Sequence, residues 1–200
     1  MGDLDFFVEG YTSEISYTPG DSVQLHVSSS VRLFSIEVSR IGDRQEIVLR
    51  KEGVSGSVFP VPEDASSLGC GWPISWEFTV PHKWESGYYQ ILFRINDQGD
   101  SFTKKCSREA TSKAYFVLRP SICNEQSSIL LQLSTNTYAA YNNWGGYSLY
   151  GYHGRGGVQG HRVSFERPDC GLFARWERPF VSWAERSGYK LDYCSNLDLE

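Results

Sequence analysis

Two hundred residues, 40% apolar and 14% aromatic, are enough to fill one large core or two small ones, so the chain reads as a globular protein. A formal charge of -5, with no window that concentrates Lys and Arg, offers phosphates no field and excludes nucleic acid as an expected partner. No stretch approaches the roughly 18 apolar residues of a membrane span. The N-terminus has no basic and then apolar leader, and Phe6 stands where myristoylation needs Ser or Thr, so the expected compartment is the cytoplasm, with no membrane partner.

From Phe6 to Leu118 short alternating runs are separated by turn chemistry. Val23, Leu25 and Val27 alternate with polar residues, as do Phe34, Ile36 and Val38, then Tyr89, Ile91, Phe93 and Ile95; Ala114–Leu118 closes the set. Period two with one wet face predicts antiparallel strands. Pro19–Ser22, Ile41–Asp43, Glu85–Gly87 and Asn96–Asp100 are turn signals at short intervals, so residues 1–119 are expected to form an immunoglobulin-like antiparallel β-sandwich. Val54–Trp72, rich in Gly, Ser and Pro, is expected to be a long excursion between strands.

After Leu118 the pattern changes. Residues 120–127, opened by Pro120, read as a linker. The apolar run from Ser128 to Leu133 predicts a buried strand. Further on, Phe173, Trp176, Phe180, Trp183 and Ala184 recur at three- and four-residue steps, predicting an amphipathic helix with Pro179 in its first turns and Gly188 as its stop. Tyr189–Cys194 is then a second strand, and strand, helix and strand make a βαβ unit of a parallel sheet. Residues 128–200 therefore read as an incomplete α/β domain: either the chain is a fragment, or the half-domain docks on its own sandwich or is completed by a second subunit or another copy.

Between that first strand and the helix lies the most informative segment, Asn136–Tyr152 (NTYAAYNNWGGYSLYGY), which holds five tyrosines and a tryptophan. A segment leaving the carboxyl end of a strand in an open α/β sheet is where ligands are met. Tyr138 and Tyr141, three apart, share a face on a helical turn. Asn142 and Asn143 are suited to hold a substrate amide, and Trp144 to form an apolar wall. His153–Gly157 lacks the ending of a phosphate-binding loop and reads as a surface loop. The five cysteines, Cys70, Cys106, Cys123, Cys170 and Cys194, form neither a disulfide framework nor a zinc ribbon and are expected to be free thiols. Neither Cys70 nor Cys170 follows a strand into a helix as a nucleophile would, and Trp72, Trp76 and Trp84 read as core rather than a sugar platform.

The aromatic segment, followed by RVSFERP at Arg162–Pro168, WERPF at Trp176–Phe180 and GYKLDYCSNLDL at Gly188–Leu199, resembles the carboxy-terminal domain of the N,N-dimethylformamidase large-subunit family over about the last 75 residues. The resemblance implies a sheet like that of glutamine amidotransferases and a hydrolase of small N-substituted formamides. It also implies a mononuclear iron held by tyrosine phenolates and a glutamate. Carried onto this chain, the first ligand is Tyr138 or else Tyr141. The second tyrosine is expected just after Arg167–Pro168, where Asp169–Cys170 stands, and the carboxylate lies beyond Glu200, so this chain alone is not expected to hold iron tightly.

Two readings of function follow. One is an iron-dependent amidohydrolase acting on carbon–nitrogen bonds of small amides, with Tyr138, Tyr141, Asn142, Asn143 and Trp144 as its site residues and a site left incomplete in this chain. The alternative is a non-catalytic module whose sandwich and aromatic segment recognise a carbohydrate or protein partner, or an interaction domain that pairs through its sheet edge.

Overall fold

The computed structural model describes residues 6–97, 108–121 and 129–199; Met1–Asp5, residues 98–100 of the expected turn, Cys106, Cys123 and most of the expected linker lie outside them. Among the described residues, ten strands form three sheets. A three-stranded antiparallel sheet has the order β1 (Val8–Thr12), β3 (Ser22–Ser29) and β6 (Trp76–Thr79). A five-stranded sheet has the order β2 (Ser16–Tyr17), β8 (Arg108–Leu118), β7 (Gly87–Asp97), β4 (Leu33–Ile41) and β5 (Gln45–Ser55). β9 (Ile129–Gln132) and β10 (Leu191–Cys194) pair in parallel, as the strand, helix and strand pattern predicts.

The first two sheets face each other across one core. Val23, Leu25 and Val27 of β3 meet Ile36, Val38, Ile91, Phe93 and Phe116, all but sealed from solvent. Trp84 and Trp72 are buried and Trp76 is partly buried, as expected of core residues. Between β5 and β6 the chain runs irregularly apart from one turn of helix, α1 (Ala65–Leu68), in agreement with the expected excursion.

One expectation fails at β8, whose Ala114–Leu118 has no wet face. Ala114, Phe116 and Leu118 enter the inter-sheet core, whereas Tyr115 and Val117 point to a second core on the far side of the same sheet. Tyr88, Ile15 and Ile41 join them there, against Leu133, Tyr138, Phe173, Val181, Ala184, Leu191 and Tyr193. The five-stranded sheet is thus the middle layer of three, buried on both faces at Tyr88 of β7 and over Ala114–Leu118 of β8. Polar clamps fix the third layer. Arg40 pairs with Glu185 at 2.9 Å while Asp43 N–H donates to the same carboxylate, and Asp198 accepts from the Ser16 hydroxyl at 2.8 Å.

The helical segment also departs from expectation. It is two helices, α3 (Phe173–Trp176) and α4 (Arg178–Arg186), meeting at Glu177, with Pro179 near the start of α4 and Gly188 at φ +84° after its end. Phe173, Val181 and Ala184 are buried, but Trp176, Phe180 and Trp183 of the expected apolar stripe are exposed. Small Val181 and Ala184 allow the helix to approach the sheet closely, which the larger rings would prevent. Nor is β9 sealed: Ile129 and Leu131 pack on the second core while Leu130 is 58% exposed, because only one face of this two-stranded sheet is covered among the described residues.

Phe173 stacks on Tyr88 with ring centroids 4.1 Å apart and couples the third layer to the middle one. Phe173→Ala is expected to lower the unfolding free energy by about 3–5 kcal/mol. A denaturant titration that finds the midpoint unchanged would show that this seam carries no packing energy.

Candidate functional site

The segment leaving β9 becomes helix α2 (Thr135–Tyr141) and then a tight turn at Trp144–Gly146. The expected loop therefore begins as a helix that starts at the strand's carboxyl end. Tyr138 and Tyr141 share the face of α2 that borders a cleft of about 560 Å³. The cleft is walled by Tyr138, Tyr141, Asn142, Asn143 and Trp144 on one side, Thr111–Lys113 of β8 on another, and Pro168–Leu172 on a third. All five residues singled out from the sequence stand around one space, and a strand of the sandwich supplies part of its wall.

Each of the five is held differently. Tyr138 is fully buried, edge-on to Tyr115 at 5.7 Å, while Tyr141 is 38% exposed at the mouth. The Asn142 carboxamide donates to Pro168 O at 2.9 Å and accepts from Trp144 N–H at 3.0 Å, so it shapes the turn. Asn143 donates to His153 O at 3.2 Å. Trp144 lines the cleft with its ring edge-on to Trp72 at 5.8 Å, and its indole N–H donates to Glu9 at 3.3 Å, pinning the turn to the first sheet. Gly145, at φ +83°, lies so close to the Ser66 backbone that a Cβ would crowd it.

Arg167 organises this arrangement. It is completely buried, and its guanidinium donates to five backbone carbonyls: Ser164 through Nε, Trp144 and Tyr147 through Nη1, and Ala139 and Asn142 through Nη2. Four of the five N–H donors meet acceptors from the end of α2 and from the turn after it, where unpaired helix carbonyls favour a cation, and the fifth meets Ser164 O. Burial lowers its pKa, but a guanidinium ordinarily above 12 stays charged.

Behind the cleft lies a cluster of phenols and carboxylates that the sequence analysis did not assemble. Tyr88 donates to Cys170 O at 3.2 Å, whereas the hydroxyls of Tyr115 and Tyr138 and Oε2 of Glu177 are buried without a hydrogen-bond partner among the described residues. Burial, with the facing Glu177 carboxylate, pushes the Tyr138 phenol far above its ordinary range. Asp169 sits in the cleft wall with Oδ1 accepting from Gly171 N–H at 2.8 Å. Desolvation raises its pKa to about 6, against the opposing pull of that bond and of Arg167. Gly171 is at φ +64°, pressed against Tyr88 and Tyr115, where a side chain would be strained. Desolvation and Asp169 also raise the Cys170 thiol, the opposite of an activated nucleophile. Cys70, Cys170 and Cys194 are free, as expected for the cysteines described.

The missed residues are Arg167 and Asp169, from the stretch before α3, and Glu177, from the junction of α3 and α4. The one available signal was the resemblance itself, which drew attention to the position after Pro168. Among the described residues no group of three or more His, Cys, Asp and Glu is placed to hold a metal ion. None of their helices is long and apolar enough to cross a membrane.

Lysine has three donors on a tetrahedral nitrogen and cannot span five carbonyls. Arg167→Lys is therefore expected to cost about 3 kcal/mol or more. It is also expected to accelerate hydrogen exchange at backbone amides 139–147. Unchanged exchange there would remove Arg167 as the brace of the site.

No curated protein matches the chain. The family model described as N,N-dimethylformamidase beta subunit-like, C-terminal, matches residues 35–200. The match begins inside β4, so it extends far beyond the last 75 residues on which the resemblance was read and takes in most of the five-stranded sheet. That extent agrees with the second core, which the sheet and the C-terminal layer share. The chain belongs to the N,N-dimethylformamidase beta subunit-like, C-terminal family.

Proposed function

We propose that the cleft is an amide-hydrolysing site cleaving carbon–nitrogen bonds, in keeping with a family linked to amidohydrolases. The observation that carries this reading is the convergence on one cleft of a buried phenol, Tyr138, which faces the Glu177 carboxylate, and an ionisable carboxylate, Asp169. Asp169 takes a proton from the attacking water and returns it to the leaving amine, giving a carboxylic acid and an amine. A pKa near 6 keeps it ionised at neutral pH yet easily protonated, as such a role needs. Trp144, in the cleft wall, shields the reacting carbonyl from bulk water.

The residues present fit an iron ion in their chemistry. Tyr138, Tyr115 and Glu177 are hard oxygen donors with unused capacity, the kind that ferric iron favours. Tyr138 and Glu177 would hold it, and the bound ion would polarise an amide oxygen and make a phenolate accessible at neutral pH. Alongside this, we infer that the two facing sheets are an immunoglobulin-like sandwich and the β9–β10 layer part of an amidotransferase-like sheet. Support for the sandwich is the strand order and the Tyr89 hydroxyl donating back to Glu85 O at 2.7 Å, the corner found near the start of the equivalent strand in such domains.

Metal analysis with a visible spectrum tests the iron reading. A violet-to-red phenolate-to-iron band is expected after loading with ferric iron, abolished by Tyr138→Phe; iron-free protein, or a band that survives the substitution, sinks it. Hydrolysis of N,N-dimethylformamide is expected to rise with pH through about 6 as Asp169 ionises, and to lose that limb in Asp169→Asn.

The same group gives a stability test with a definite sign. Its folded pKa of about 6 exceeds the ordinary 3.8, so the neutral form is favoured in the fold. Its stabilising contribution is complete below roughly pH 4 and is lost as pH rises through about 6. Asp169→Asn is expected to stabilise the protein by roughly 1–3 kcal/mol at pH 8 and to change little at pH 3.5. Destabilisation at pH 8 would mean that the carboxylate is satisfied as an anion.

A further inference from the structure

Tyr141 belongs to the cleft and also to a second feature outside it. Its ring stacks on Tyr150 with centroids 4.2 Å apart; Tyr150 lies 5.9 Å from Tyr152, and Tyr152 meets His153 edge-on at 4.2 Å. Tyr150 is 37% exposed and Tyr152 73%. Four rings thus form one exposed cluster continuous with the cleft mouth. Their backbone is firmly built. The buried Ser148 hydroxyl accepts from Tyr150 N–H at 3.0 Å, Leu149 N–H donates to Ala140 O at 3.0 Å, and Gly160 N–H donates to Ser148 O at 2.7 Å. A rigid surface that keeps several aromatic rings in water together, beside a cavity, marks a ligand face.

The cavity also exceeds what a dimethylated formamide fills. About 560 Å³ lies within the roughly 300–1,000 Å³ of pockets that enclose drug-sized ligands. The flanking amides are already engaged: Gln159 donates to Leu149 O and Asn143 to His153 O. A hydroxyl-rich sugar needs several planar polar side chains free to turn toward it, and each of these two is tied to the backbone by one amide N–H. A flat apolar ring needs only the phenol faces.

We propose that the Tyr141–Tyr150–Tyr152 cluster is a subsite for an aromatic ring carried by the amide, so that the substrate class is aryl-substituted amides. This rests on the amide-hydrolase reading of the cleft. The amide end lies between Tyr138 and Asp169, and the ring extends outward onto Tyr141 and Tyr150.

Calorimetric binding of three probes tests it without turnover: formanilide, N-cyclohexylformamide, which keeps the amide but loses the flat ring, and N-acetylglucosamine. Formanilide is expected to bind about tenfold more tightly than the cyclohexyl compound. That advantage should disappear in Tyr150→Ala and Tyr152→Ala and persist in Tyr150→Phe, whose ring is intact. Equal binding of the two formamides, no binding of either, a preference for the sugar, or an advantage that survives both alanine variants would each overturn the subsite. Ring-dependent binding without hydrolysis would overturn the hydrolase reading and leave the subsite standing; hydrolysis without ring preference would do the reverse.

Discussion

A single buried cation holds the candidate site together. The aromatic turn after α2 is a run of glycines, asparagines and bulky rings with no regular ladder of its own, and its carbonyls would otherwise face the interior unpaired. Arg167 satisfies five of the carbonyls in and around it from one point, and its planar fork sets their relative positions. With the guanidinium spent on neutral acceptors, Asp169 two residues later gains no direct ion pair from it. One residue thus shapes the cleft and leaves the nearby carboxylate titratable near neutrality.

The second constraint is the double burial of the five-stranded sheet. The end of β8 sends alternate residues into two cores and β7 adds Tyr88 to the second, so the sandwich and the C-terminal layer are built on one another. The cleft inherits this arrangement: β8 lends Thr111–Lys113 to its wall and Tyr115 to the phenol cluster behind it. That shared construction gives a physical reason for a family match beginning within β4 rather than after the sandwich. A domain whose inner layer is another domain's sheet carries that sheet with it.

The chemistry of the interior differs from that of the surface around it. Behind the cleft, phenols and carboxylates are buried with part of their hydrogen-bonding capacity unused, a costly arrangement unless a ligand or ion completes it. At the mouth, rings are exposed and stacked on one another. Polar groups within and apolar groups without reverse the usual distribution on the two sides of one cleft.

Much of the architecture was legible in the sequence because periodicity is a local property. Val23, Leu25 and Val27 alternate whatever covers them, Gly188 stops a helix by its own backbone freedom, and an apolar run before an aromatic segment places that segment at a strand's end. The amino-acid order therefore determined β3, β4, β7, the end of β8, β9 and β10, the inward faces of the first three, the parallel pairing of β9 with β10 and the five aromatic-segment residues that border the cleft. Only the tertiary structure decided which faces are covered. Val181 and Ala184, not Trp176 and Trp183, face the sheet because close approach selects small residues, and β8 is buried on both sides because another layer lies beyond it. Arg167, Asp169 and Glu177 left no trace in pattern or composition. Their roles arise from partners distant along the chain, Ala139 for Arg167 and Tyr138 for Glu177, and only folding brings those partners together.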